Sequence, residues 1–228
     1  MSPRQVALIH GWGGSHAATF AADGWDDALR AAGFEPVGID LPGHGLRGGS
    51  HDPADYADLA SALAATLPAG LLGCIGFSLG TKVLLELEIR QPGQNGRLVL
   101  GGIGDNIFVP EAAGPAVAAA LRGEVAETMA PQVRALLDYS RKSGSDPLCL
   151  AAVLEREPNP RISAARLAAA RAPILLVNSA DDDVAMPDTH LRAALPHAEY
   201  LQLDGSDHIG LTSDRRFRQA AVDFMSRP

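Results

Sequence analysis

The sequence predicts a doubly wound α/β domain built on a mostly parallel sheet of about six strands. Three observations predict it. Short, nearly continuous aliphatic runs recur at 6–9, 37–39, 71–77, 98–100, 174–177 and 200–203, as strands covered on both faces require. Between them lie Ala/Leu-rich stretches of helical length near 17–32, 54–67, 79–90, 187–195 and 213–226, so strand and helix alternate. The chain has 228 residues, 46% of them hydrophobic and 20% charged. That is enough for one domain with its own core.

Charge and composition narrow the function classes. The formal net charge is −8 and no Lys/Arg cluster stands out, so phosphate backbones are repelled and nucleic acid is not an expected partner. No apolar run approaches bilayer length. Val6-Ala7-Leu8-Ile9 is too short for the apolar core of a signal peptide, so the expected location is cytoplasmic. Cys74 and Cys149 show neither a disulfide framework nor a metal-ligand spacing. No cofactor and no metal is expected, and the expected partner is a small-molecule substrate.

One stretch breaks the alternation. Residues 106–172 contain no convincing strand but do contain helical pieces at 132–142 and 148–156. The division expected is a core of 1–105 and 173–228 with a helical insertion over 106–172. Connections this long in a compact domain usually form a lid or a small subdomain. Binding sites on such sheets lie beyond the strand ends. The helical pieces carry apolar faces, Val133, Leu136 and Leu137 on one and Leu148, Leu150 and Leu154 on the other, which need burying. The plainer alternative is a surface insertion with no role in binding.

The chemistry-bearing residues begin at Gly76-Phe77-Ser78-Leu79-Gly80. The G-x-S-x-G pattern alone is common. Here it ends the most apolar strand candidate and opens an amphipathic helix, the context of a nucleophile elbow. Small neighbours on both sides let the chain turn sharply and expose the serine hydroxyl. The competing reading is a serine that merely caps a helix. A hydroxyl needs a base to become a nucleophile. His208, in Asp207-His208 after the last strand candidate, is placed at the same sheet edge. His190 and His197 flank the preceding helix, where solvation suffices; His16, His44 and His51 lie in early loops with no stronger claim. The base needs an acid to fix its tautomer, and Asp181-Asp182-Asp183 follows the strand at 174–177. At least two of these three need only cap a solvated turn. Finally, His10-Gly11-Trp12-Gly13-Gly14 follows the first strand. Backbone N–H groups of Trp12 and Leu79 could together hold an oxyanion; a flexible turn is the alternative.

With these residues in hand, the chain resembles the α/β-hydrolase superfamily, and within it the esterase-like members. The resemblance is carried in order by Leu8-Ile9-His10-Gly11-Trp12-Gly13-Gly14, Asp40-Leu41-Pro42-Gly43-His44-Gly45, Gly76-Phe77-Ser78-Leu79-Gly80, the stretch from Asn178 to Pro187, and Asp207-His208. It implies a Ser78–His208–Asp triad. The family's spacing before the proline puts the acid on Asp183, with Asp105 as the reserve. It also implies an α/β-hydrolase fold that lacks the usual first hairpin. Ala180 and Thr81 stand where many relatives carry glycine. The implied reaction is carboxylic ester hydrolysis through an acyl-enzyme. Thioester hydrolysis, carbon–carbon bond hydrolysis, cofactor-free peroxidation and acyl transfer use the same parts, and a non-catalytic binding protein could keep the fold.

Overall fold

The computed structural model describes residues 4–109, 112–124, 129–157 and 162–228. The aliphatic runs form six parallel strands: β1 (Arg4–Ile9), β2 (Phe34–Ile39), β3 (Gly73–Phe77), β4 (Arg97–Gly101), β5 (Ile174–Ser179) and β6 (Glu199–Leu203). Their order in the sheet is β2-β1-β3-β4-β5-β6. The second strand begins three residues before the expected run and includes Pro36. A residue without an N–H fits there because β2 lies at the sheet edge.

Alternation along the strands builds a core on each face. Val6 and Leu8 of β1 join Ile75, Phe77, Val99, Leu175 and Val177 on one side. Helices α1 (Trp25–Ala31) and α9 (Arg215–Ser226) cover that side with Trp25, Leu29, Phe217, Ala221, Phe224 and Met225. Ala7 and Ile9 join Cys74, Leu98, Leu100, Ile174 and Leu176 on the other side. There they meet α2 (Leu59–Ala64), α3 (Leu79–Arg90) and α8 (Thr189–Ala194).

Two expected helices are shorter than the sequence suggests. The stretch 17–32 is a π-helical turn (Ala17–Ala21) followed by α1, because Gly24 sits at φ 76° and ends the helical path. The stretch 54–67 is a 3₁₀ turn (Pro53–Tyr56) followed by α2. Here Asp58 interposes a cap, its carboxylate accepting the Ser61 amide.

The 106–172 connection carries α4 (Gly114–Leu121), α5 (Pro131–Ser140), α6 (Pro147–Glu155) and α7 (Ala164–Leu167). Helices α5 and α6 match the expected pieces. Val133, Leu137, Leu150 and Val153 are buried, and α6 packs on α4 and on the 53–56 turn. Both cysteines are free and buried. Among the described residues no helix is long and apolar enough to cross a membrane.

The strand order has a consequence for function. The chain runs from β1 outward to β2 on one side and to β3 on the other. Loops leaving the carboxyl ends of β1 and β3 therefore diverge and open a crevice. Ile9 pairs in register with Gly76, so the residues that follow each, the glycine loop and Ser78, stand side by side.

Candidate active site

Ser78 joins β3 to α3 at φ 50° and ψ −111°. Among the described residues it is the only non-glycine with positive φ, a strained geometry that persists only when its surroundings enforce it. The enforcement is visible. The Ser78 N–H donates to Gly101 O at 2.9 Å, and the buried Thr81 hydroxyl donates to the same oxygen at 3.1 Å. Thr81, a departure from the family pattern, thus ties α3 to β4. A Cβ on Gly80 would sit 2.2 Å from Ile9 O, and one on Gly11 would sit 3.1 Å from the Ser78 Cβ. Both glycines permit close approach of β1 and the elbow.

His208 follows β6 and reaches both neighbours. Its Nε2 lies 2.9 Å from Ser78 Oγ and its Nδ1 lies 2.8 Å from Asp182 Oδ2. The carboxylate fixes the tautomer: Nδ1–H donates to Asp182, leaving Nε2 to accept from the serine hydroxyl. The imidazole also lies against the Phe77 ring, 5.0 Å between centroids.

The structure sets Asp182, and not the expected Asp183, against His208. Asp182 is fully buried and faces His208, whereas Asp183 is exposed. The cause is the turn. Asp182 Oδ1 accepts the amides of Val184 and Ala185, both at 2.9 Å, which draws its side chain inward and turns its neighbour out. Asp181 accepts the Gly205 amide at 2.6 Å and so ties the acid turn to the His208 loop. The reserve candidate, Asp105, lies elsewhere: its carboxylate takes the Leu191 amide and the His190 ring, both at 2.8 Å.

Gly11 to Gly14 form a tight turn closed by Gly14 N–H to Gly11 O at 3.1 Å, with Gly13 at φ 74°. The amides of Trp12 and Leu79 have no acceptor among the described residues. They belong to the glycine loop and to the first turn of α3, which β1 and β3 bring together.

A family model described as the alpha/beta hydrolase family matches residues 6–221. The chain belongs to that family. Among solved structures, this α/β hydrolase is similar to NosK from Streptomyces actuosus, at 26% identity and a TM-score of 0.68, over 98% of this chain and 97% of that one. It shares its fold with the enol-lactonase from Burkholderia xenovorans LB400, at 19% identity and a TM-score of 0.72, over 100% and 93% of the two chains. It also shares it with an esterase from Exiguobacterium antarcticum, at 17% identity and a TM-score of 0.74, over 99% and 93%. No curated protein matches it by sequence.

Sequence reasoning missed two supports of the hydrolase site. His10 and His44 are fully buried with rings 5.0 Å apart. Burial pushes His10 down to about 4 and, with the neighbouring His10 ring, His44 to about 3. Both are therefore neutral at ordinary pH. His10 Nδ1 donates to Gly11 O at 2.7 Å and its Nε2 accepts the Leu41 amide at 3.1 Å, so it braces the glycine loop against the 41–45 loop. The second support comes from the insertion. The Trp12 indole N–H donates to Leu150 O on α6 at 3.1 Å, and the Tyr139 hydroxyl on α5 pairs with Thr19 at 2.8 Å. Of the remaining histidines, His16 pairs with Asp26 and His51 with Asp146, while His197 is exposed.

Proposed function

We propose that this protein is a serine hydrolase that cleaves a carboxylic ester of a small molecule through an acyl-enzyme. The observation that carries the reading is the continuous chain from Ser78 Oγ through the His208 ring to the buried Asp182 carboxylate. Ser78 Oγ attacks the ester carbonyl as His208 Nε2 takes its proton. The imidazolium formed is stabilised by Asp182, which stays ionised. His208 then gives the proton to the departing alkoxide, leaving an acyl-Ser78 and a free alcohol. Water enters, gives a proton to Nε2 and attacks the acyl carbon; collapse returns the proton to Ser78 Oγ and releases the acid. The N–H groups of Trp12 and Leu79 hold the negative oxygen of each tetrahedral intermediate. A missing oxyanion donor typically costs about 10²–10³ in kcat.

Residues 106–172 serve in this reading as a lid that shapes the acyl pocket. The segment departs after β4, beside the elbow strand, and returns at β5, which carries the acid turn. On the way its Leu150 carbonyl receives the Trp12 indole of the glycine loop, and its Tyr139 pairs with Thr19 in the turn that follows. Apolar walls supplied from there would set chain-length preference.

A fluorophosphonate probe and a panel of p-nitrophenyl esters of graded acyl length test the proposal. The protein should be labelled stoichiometrically and turn over some of the esters. Ser78→Ala should lose both properties with an unchanged circular dichroism spectrum. A wild-type protein that takes no label and cleaves no ester would be a binding protein on this fold, and the hydrolase reading would fall.

A further inference from the structure

Away from the triad, three donors of different chemistry converge. Asp146 caps α6, its Oδ1 accepting the Leu148 amide at 2.8 Å. Cys149 stands three residues later, which on a helix is the same face one turn on. His51, from the loop before the 53–56 turn, places Nε2 2.9 Å from Asp146 Oδ2. The donor atoms of His51, Asp146 and Cys149 all lie within 4.8 Å of one another. The His51 and Asp146 side chains are 53% and 43% exposed, while Cys149 is buried behind them.

We propose that His51, Asp146 and Cys149 form a binding site for a borderline-soft divalent cation, Zn²⁺ or Cd²⁺ in class. An imidazole, a carboxylate and a thiolate are a ligand set that such ions favour over magnesium or calcium. Tetrahedral zinc holds its donors about 3.5 Å apart. Two of the three donors stand on half-exposed side chains, which the surrounding packing constrains least. An exposed ion pair such as His51–Asp146 contributes little to stability by itself, so replacing it by metal–ligand bonds gives up little. On binding, the Cys149 thiol gives up its proton to solvent and the His51–Asp146 contact is replaced by two metal–ligand bonds. Water takes the fourth position on the open side. The occupied site clamps the loop at His51 to α6, the helix whose Leu150 carbonyl receives the Trp12 indole.

The test is a titration of chelator-treated protein with cadmium chloride, following the ultraviolet sulfur-to-cadmium charge-transfer band, with thermal unfolding measured in parallel in zinc chloride. One equivalent should saturate the band and zinc should raise Tm. Cys149→Ser should abolish the band. Cys74→Ser should keep it, since Cys74 lies within the sheet on β3, its thiol against Asn95 O. His51→Gln and Asp146→Asn, the latter still able to cap α6, should each weaken cadmium binding about tenfold or more, the scale on which even indirect partners of a metal act. The proposal is overturned if wild type gives no saturable band, if the band survives in Cys149→Ser, or if both surface variants bind cadmium like wild type, which would mark a thiol acting alone.

Discussion

Asp182 is buried, and its carboxylate accepts the amides of Val184 and Ala185 as well as the His208 ring N–H. In Asp182→Asn an amide NH₂ would face Nδ1, favour the proton on Nε2 and leave no lone pair for the serine proton. The expected loss in kcat is about 10⁴, read with any p-nitrophenyl ester that the wild type cleaves. Asp183→Asn alters an exposed side chain, so it should change stability by no more than about 0.5 kcal/mol and leave kcat near that of the wild type. Equal losses in the two variants would remove Asp182 from its role. Gly80 makes a second prediction at this scale. In Gly80→Ala the new methyl would meet Ile9 O at 2.2 Å and His10 O at 2.7 Å. Both are backbone atoms with little room to yield. The variant should lose about 1–3 kcal/mol in urea unfolding and should displace the elbow, lowering turnover. Wild-type stability would show that β1 and α3 can separate cheaply.

At the scale of elements, the glycine loop is held from two sides: by His10 from within the sheet edge, and by α6 from the insertion, while α5 ties down the adjoining 17–21 turn. Trp12→Phe keeps an aromatic ring in the core but removes the indole donor to Leu150 O. One hydrogen bond is worth about 1 kcal/mol, so stability should fall by roughly that much. If the bond also aligns the Trp12 amide, the loss acts on the transition state: kcat for a short ester should fall while KM changes little. A fall in stability with unaltered kcat would mean that α6 packs on the loop without positioning it. The sequence revealed the pieces of this arrangement unevenly. Helices α5 and α6 were legible because each carries an apolar stripe, whereas α4 and α7 are short and Ala-rich and show no clear period. The stretch 17–32 read as one helix because a single glycine, Gly24, counts for little in a composition-based reading. In the chain, its left-handed φ of 76° ends the helical path.

For the whole molecule, His10 and His44 couple folding to pH. Each is held neutral by burial, with folded values of about 4 and about 3, against the ordinary 6.5 of the unfolded chain. Between the folded values and 6.5 the unfolded chain binds protons that the folded chain refuses, so stability rises with pH through that window. The contribution is complete above about pH 6.5 and is lost progressively below it. The slope approaches about 1.4 kcal/mol per pH unit for each histidine. Urea unfolding from about pH 7 down to about pH 5, above most carboxylate titration, should show this decline. A flat profile there would mean that the two rings accept protons without unfolding.

Local physics explains what the sequence determined by itself. Strand burial on both faces forces continuous aliphatic runs, and a sharp strand-to-helix turn forces small residues around Ser78. The sheet class, the elbow and the identity of Ser78 and His208 as candidates could therefore be read directly. Three things were decided only in three dimensions. The order that sets β1 beside β3 brings the glycine loop to the elbow. The direction of one side chain in an acidic run puts Asp182 rather than Asp183 against His208. Cys149 comes to lie beside His51 through a contact that spans 95 residues from His51 to Asp146. Composition and spacing describe neighbours along the chain, whereas each of these depends on which groups the packed core brings together from distant segments and which way a tight turn aims them.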